Sequence, residues 1–195
     1  MQKVVVFCGA RHGADPIFTQ AAQALGTALA ASGRTLVYGG GHVGLMGVLA
    51  DAVLDAGGQA IGVIPHFMVE RELAHGGLTE LVVVDSMHTR KARMAELGDA
   101  FVAMPGGFGT LDELFEILTW AQIGLHGKPV GLLNTGGYFD SLLDFMRNAA
   151  SQGFVNPAEV ERLVLASEPD TLLQALAAIP VADARWRRAE LRSRS

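Results

Sequence analysis

The sequence predicts a Rossmann-like, doubly wound α/β domain, with a mostly parallel sheet of about seven strands and helices on both faces. Three observations carry that expectation. Seven short apolar runs recur along the chain, nearly uninterrupted, as in parallel strands buried on both faces. Helix-length segments separate them, which is the order of βαβ units. Glycine clusters stand directly after two of the runs, where a strand would turn into a helix.

The runs are Val4–Cys8, Thr35–Tyr38, Ala60–Ile64, Leu81–Val84, Ala100–Met104, Val130–Leu133 and Leu163–Leu165. The first helix is punctuated by Asp15 as cap, Pro16 at its first position and Gly33 at its end. Ala21, Leu25, Ala28 and Leu29 fall on one face of it. A second helix is expected from Gly44 to about Ala56, stopped by Gly57-Gly58, and a third from Ser86 to Gly98. A fourth starts at Thr110 and ends near Gly124, and further helical segments cover about Asp170–Ala178 and Asp183–Arg192. The chain thus divides into one α/β domain over residues 1–180 and a basic C-terminal helix or tail over 181–195. That tail, with Arg185, Arg187, Arg188, Arg192 and Arg194, is read as a solvated segment.

Composition narrows the function classes. Of 195 residues 50% are apolar, enough for a real core without staples. The formal net charge of −5 argues against a nucleic-acid binder acting through bulk charge, so any anion site is local. The single cysteine, Cys8, leaves no intrachain disulfide and fits a reducing compartment. No apolar stretch reaches the roughly 20 residues of a membrane span, and no secretory leader is visible. A cytoplasmic protein is expected.

Two glycine loops point toward phosphate. Gly39-Gly40-Gly41-His42-Val43-Gly44 has the spacing of a dinucleotide fingerprint, but it follows the second strand. The next strand ends in Gly62-Val63-Ile64-Pro65, without the acidic residue a dinucleotide ribose needs. Phosphate contact or close backbone approach remains, with Gly40, Gly41 and Gly44 as candidates. The second loop, Pro105-Gly106-Gly107-Phe108-Gly109-Thr110, lacks the Lys-Ser/Thr of a triphosphate loop. Both would lie at the carboxyl ends of parallel strands, where open α/β sheets bind ligands.

Charged residues surround these loops. Glu113 has two readings: the far end of a Thr110-x-x-Glu113 capping box, or a reactive carboxylate at the mouth of the second loop. Glu116 follows on roughly the same face. Arg90, Lys91 and Arg93 sit near a helix start, where cations are disfavoured by the macrodipole unless an anion is present. The six histidines show no metal-ligand spacing. Cys8 is expected to be a buried, inert thiol.

Taken in order, Gly39 through Gly47, then Ser86-Met87-His88-Thr89-Arg90-Lys91, then Pro105 through Glu113 resemble the LONELY GUY family. The resemblance spans about Val4 to Phe154 and includes Glu72-Leu73-Ala74-His75 and Leu118-Thr119-Trp120-Ala121-Gln122. That family, long mislabelled as lysine decarboxylases, hydrolyses cytokinin riboside 5′-monophosphates to free base and ribose 5-phosphate. The resemblance implies Arg90 and Glu113 as catalytic residues. It implies nucleotide contacts from Glu72, Arg90, Lys91, Gly106, Gly107, Phe108, Gly109, Thr110, Glu113 and Thr119. It also implies a homodimer and no metal or organic cofactor. The family's usual Cys-Gly-Ser-Ser is here Cys8-Gly9-Ala10-Arg11, making Arg11 a further candidate phosphate contact. A general AMP nucleosidase, a non-catalytic nucleotide-binding protein and a pyridoxal phosphate enzyme using Lys91 are the rival readings.

Overall fold

The computed structural model describes residues 1–70 and 73–180. The chain runs β1 (Lys3–Phe7), α1 (Ile17–Ala31), β2 (Thr35–Tyr38), α2 (Gly44–Asp55), β3 (Ala60–Pro65), α3 (His66–Val69), β4 (Glu80–Val84) and α4 (Met87–Leu97). It continues through β5 (Ala100–Ala103), α5 (Phe108–Gln122), β6 (Val130–Leu133), a 3₁₀ turn (Thr135–Gly137), α6 (Asp140–Ser151), α7 (Pro157–Glu161), β7 (Val164–Ala166) and α8 (Pro169–Ala178). The seven strands form one sheet in the order β4-β3-β2-β1-β5-β6-β7, and every pairing is parallel. This is the expected doubly wound architecture, and the expected basic tail lies outside the described residues.

Alternate strand residues feed two cores, because successive side chains point to opposite faces. Val4, Val6, Leu36, Tyr38 and Val102 pack with α1, α2 and α8 through Leu25, Leu29, Leu49, Val53 and Leu172. Val5, Phe7, Val37, Phe101 and Ala103 pack with α4, α5 and α6 through Met94, Leu114, Ile117, Leu143 and Met146. Each large side chain buried this way is worth about 1.5–3 kcal/mol of transfer free energy. The sheet is sandwiched only at its centre. On the edge strands, Leu81, Val83 and Leu165 are exposed, so the expectation that every run is buried on both faces fails there. An edge strand lacks the neighbouring βα unit that would cover it.

Local signals set most helix ends. The Asp15 carboxylate accepts from the Ile17 N–H (2.9 Å), which places the start of α1 one residue beyond Pro16. Ser86 caps α4 by accepting from the Thr89 N–H (3.1 Å). The turn that matters most is the start of α5. It begins at Phe108 with Gly107 as its N-cap, two residues before the expected Thr110.

The winding direction reverses between β1 and β5. From their neighbouring carboxyl ends the chain departs toward α1 on one face and α5 on the other. A crevice at that switch point follows from the topology.

Candidate active site

The crevice is a cavity of about 710 Å³, bounded by Cys8–Gly13 after β1 and Pro105–Thr110 after β5. Its charged lining residues are Arg11, Arg90, Asp112 and Glu113, while Leu45, Met46, Met68 and Met87 supply an apolar wall.

Arg90 comes from the first turns of α4 and is buried. Its Nε donates to the Val63 carbonyl of β3 (3.0 Å), and its Nη1 lies 3.4 Å from Glu113 Oε1. The guanidinium rests against Gly39, where a Cβ would fall 1.7 Å from Nη2. Glycine at 39 therefore makes room for an arginine of this chain. Glu113, on α5, completes a buried ion pair at the cavity floor.

The capping-box reading of Glu113 is corrected by this geometry. Gly107 holds the N-cap position, Thr110 is buried inside the first turn, and the Glu113 carboxylate faces Arg90. Burial pushes the Glu113 carboxyl up to about 6; Arg90 and Lys91 pull it down, while Asp112 and Glu116 push it further up. A carboxyl poised near neutrality in a cleft has the properties of a reacting group. Cys8 sits beside the pair, and burial followed by the Glu113 charge raises its thiol far above the ordinary range. It stays protonated and inert, as the sequence suggests.

Lys91 has a different role from Arg90. Its ammonium lies 3.0 Å from Asp112 and 3.0 Å from Glu116, and it does not line the cavity. Burial alone would lower its affinity for a proton; hydrogen bonds to Glu116 and Asp112 outweigh that and raise it. Arg90 and Lys91 are thus offset by carboxylates of α5, and Arg93 by Glu96 of its own helix.

The second glycine loop faces the cavity over Gly106, Gly107, Phe108, Gly109 and Thr110. Gly106 is wedged between Thr110 and Gly9. A Cβ at Gly107 or Gly109 would meet no atom of the other described residues within 4 Å, and Phe108 is 94% exposed. The N–H groups of Phe108, Gly109 and Thr110 form the free first turn of a 15-residue helix, a site suited to an anion.

The first loop does not line the cavity at Gly40, Gly41 or Gly44. Gly40 packs on Ile64 and Gly62, and Gly41 bridges Ala74. Gly44, at φ +60°, lies where a Cβ would fall 2.3 Å from the backbone of Ala10 and Arg11. Of the two readings kept open, close backbone approach describes these glycines. Arg11 does line the cavity. Thr119 lies further along α5, bonds to the Phe115 carbonyl (2.7 Å), and lines a different cavity of about 610 Å³. Glu72 lies outside the described residues.

Three contributors escaped the sequence reading: Asp112, the methionine wall and Tyr138. Tyr138 carried a signal, since Gly136-Gly137 is a third glycine pair following a strand.

Residues 46–176 match the family described as possible lysine decarboxylase. A cytokinin riboside 5′-monophosphate phosphoribohydrolase of Rhodococcoides fascians is 51% identical over 176 residues, covering 90% of this chain and 89% of that protein. A protein of the same name from Arabidopsis thaliana is 46% identical over 175 residues, covering 90% and 81%. Among solved structures, a molybdenum cofactor carrier protein of Chlamydomonas reinhardtii superposes with a TM-score of 0.70 at 22% identity, covering 90% of this chain and 96% of its own. A molybdenum cofactor binding protein of Rippkaea orientalis gives 0.68 at 22%, covering 91% and 97%. At such identity these two share the fold alone. The matched family, the identity to its curated members and the three motifs in order agree: the chain belongs to the LONELY GUY family of cytokinin riboside 5′-monophosphate phosphoribohydrolases.

Proposed function

We propose that this protein hydrolyses the N-glycosidic bond of N6-substituted adenosine 5′-monophosphates, giving free base and ribose 5-phosphate. The observation that carries the reading is the buried Arg90–Glu113 pair beneath a helix N-terminus whose glycines face empty space. The 5′-phosphate sits at the first turn of α5, over Gly107, Phe108 and Gly109, with Arg11 as a side-chain counter-charge. Its binding energy positions the remote glycosidic bond. As the C1′–N bond breaks, positive charge develops on the ribose ring, and the Glu113 carboxylate stabilises it. Water adds to C1′ and gives its proton to Glu113; the departing base takes up a proton from solvent as the bonding pair moves onto its nitrogen, and Glu113 then returns its proton to solvent. Arg90 holds Glu113 in place and polarises the reacting end of the nucleotide. Leu45, Met46, Met68 and Met87 suit an apolar N6 substituent, methionine being adaptable in shape.

A lysine decarboxylase reading requires an amine free to bind pyridoxal phosphate. Lys91 does not fit, being held by two carboxylates outside the cavity.

The same reading includes a homodimer in the cytoplasm. Phe115, Ile123, Leu125 and Phe145 are exposed on α5, its following loop and α6, an apolar surface that supports self-association. Thr119 is on α5 beside it, and reaches a nucleotide only across such a contact.

The test is release of base from AMP and isopentenyl-AMP, side by side, with Glu113→Gln as control. Faster cleavage of the prenylated nucleotide, lost in the variant, supports the reading. Equal or better cleavage of AMP makes the protein a general nucleosidase. Binding without cleavage makes it a nucleotide-binding protein.

A further inference from the structure

The β6–α6 connection is built to hold one side chain. Asn134 fixes it: its Oδ1 accepts from the Phe139 N–H (2.7 Å) and its Nδ2 donates to Asp140 Oδ1 (2.7 Å). Gly136 and Gly137 both adopt positive φ (62° and 71°), and a Cβ at 137 would fall 2.6 Å from Asp140 Oδ2. The turn presents Tyr138 to the rim of the cavity. There its ring is set edge-on against Phe18 of α1 (5.6 Å between centroids) and Phe139 (5.1 Å). Its hydroxyl donates to the Gly106 carbonyl in the second glycine loop. The same loop is tied on its other side, where the Gly9 N–H donates to the Pro105 carbonyl (3.1 Å).

We propose that Tyr138 is a positioning residue for phosphate binding: its hydroxyl fixes the Gly106–Gly107 peptide so that the first N–H groups of α5 converge on the 5′-phosphate. The proposal rests on the phosphoribohydrolase reading for the identity of the anion. The physical argument concerns rotation. Gly106 and Gly107 have no side chains to lock their peptide plane, and glycine is the residue freest to turn. One hydrogen bond to the Gly106 carbonyl, from a ring already clamped by two aromatic neighbours, sets the plane before ligand arrives. Pre-organised donors bind an anion without the cost of reorganising at that moment. In the proposed function the reacting bond is served by Glu113 and the phosphate by the glycine loop that Tyr138 touches, so the tether acts on binding rather than on chemistry.

The experiment uses Tyr138→Phe, which keeps the ring and removes the donor. Calorimetry measures ribose 5-phosphate and adenosine binding to both proteins, alongside steady-state cleavage and thermal unfolding. The expected result is an about tenfold weaker affinity for ribose 5-phosphate and an equal rise in KM for the nucleotide. Adenosine affinity, kcat and the melting temperature stay close to wild type. Unchanged ribose 5-phosphate affinity overturns the proposal. So does an equal loss of adenosine affinity, or a fall in kcat and melting temperature with KM unmoved, the mark of a purely structural tyrosine. Wild-type protein that binds ribose 5-phosphate, loses that affinity in Tyr138→Phe and yet cleaves no nucleotide sinks the phosphoribohydrolase reading and leaves the tether standing. Wild-type protein that neither binds ribose 5-phosphate nor cleaves nucleotide overturns both, and one that cleaves nucleotide without binding ribose 5-phosphate overturns the tether alone.

Discussion

The loops at 39–44 and 105–110 look alike in sequence and do opposite things. Each follows a parallel strand and opens a helix. In the first, glycine is demanded by the protein itself: Gly39 yields space to the Arg90 guanidinium and Gly44 to the backbone of Ala10 and Arg11. In the second, Gly106 is wedged against Thr110 and Gly9, but Gly107 and Gly109 are crowded by none of the described residues, and neither has a positive φ. Glycines needed neither for turning nor for packing lie where the 5′-phosphate is proposed to bind. The contrast separates structural from functional glycine better than either motif does. The loops meet in one ion pair, since the first shelters Arg90 and the helix after the second carries Glu113.

Substitutions sharpen the contrast. Gly44→Ala has the largest expected effect: a Cβ 2.3 Å from fixed backbone, at φ +60°, costs about 3–5 kcal/mol, read by chemical denaturation or by loss of soluble protein. A fully stable Gly44→Ala would refute the packing role of the first loop. Next, Glu113→Gln lowers kcat by roughly 10²-fold or more while nucleotide still binds. It is also not destabilised at pH 7.5. Because burial raises the folded carboxyl from 4.5 to about 6, the ionised form costs the fold about 2 kcal/mol, which the neutral amide removes. Normal turnover with earlier melting would make Glu113 a structural partner of Arg90 rather than a reacting group.

Gly39→Ala pushes the Arg90 guanidinium aside and lowers kcat/KM by about 10–100-fold, with a smaller loss of stability. Gly107→Ala completes the comparison from the other side. Its melting temperature stays within about 2 °C of wild type, while KM for the nucleotide rises about tenfold. Melting of Gly107→Ala as early as Gly44→Ala would erase the distinction between the loops. The smallest effect is on pH. Wild-type kcat/KM falls as Glu113 protonates below about 6, and Glu113→Gln lacks that limb. Stability moves the other way: protonation is favoured in the fold, so Glu113 adds stability as pH drops from above 6 toward 4.5.

Some of this was readable locally and some was not. Thr35–Tyr38 and Val130–Leu133 are strands at the bounds their apolar runs suggest, because a buried parallel strand needs only a continuous run between breakers. The start of α5 departs from its local signal, because Thr110-x-x-Glu113 satisfies the rule for a cap while Gly107, without a side chain, takes the position. The resemblance groups Thr119 with the nucleotide contacts, and its helix carries it to another cavity of the same chain. The contact of Tyr138 is not legible in the sequence, since nothing in its own segment says that its hydroxyl will meet Gly106, a residue of another loop.

By itself the sequence determined the class of fold and the two loops, and its resemblance to a known family implied the arginine and glutamate on which the chemistry is proposed to rest. These depend on periodicity, on breakers and on short motifs, all of which act within a few residues of chain. Only the tertiary structure decided what each glycine is for, which cation meets which carboxylate, and that burial lifts Glu113 to about 6. Those depend on distances between groups far apart in sequence and on the exclusion of water around them, and neither exists until the sheet has brought β1 and β5 side by side.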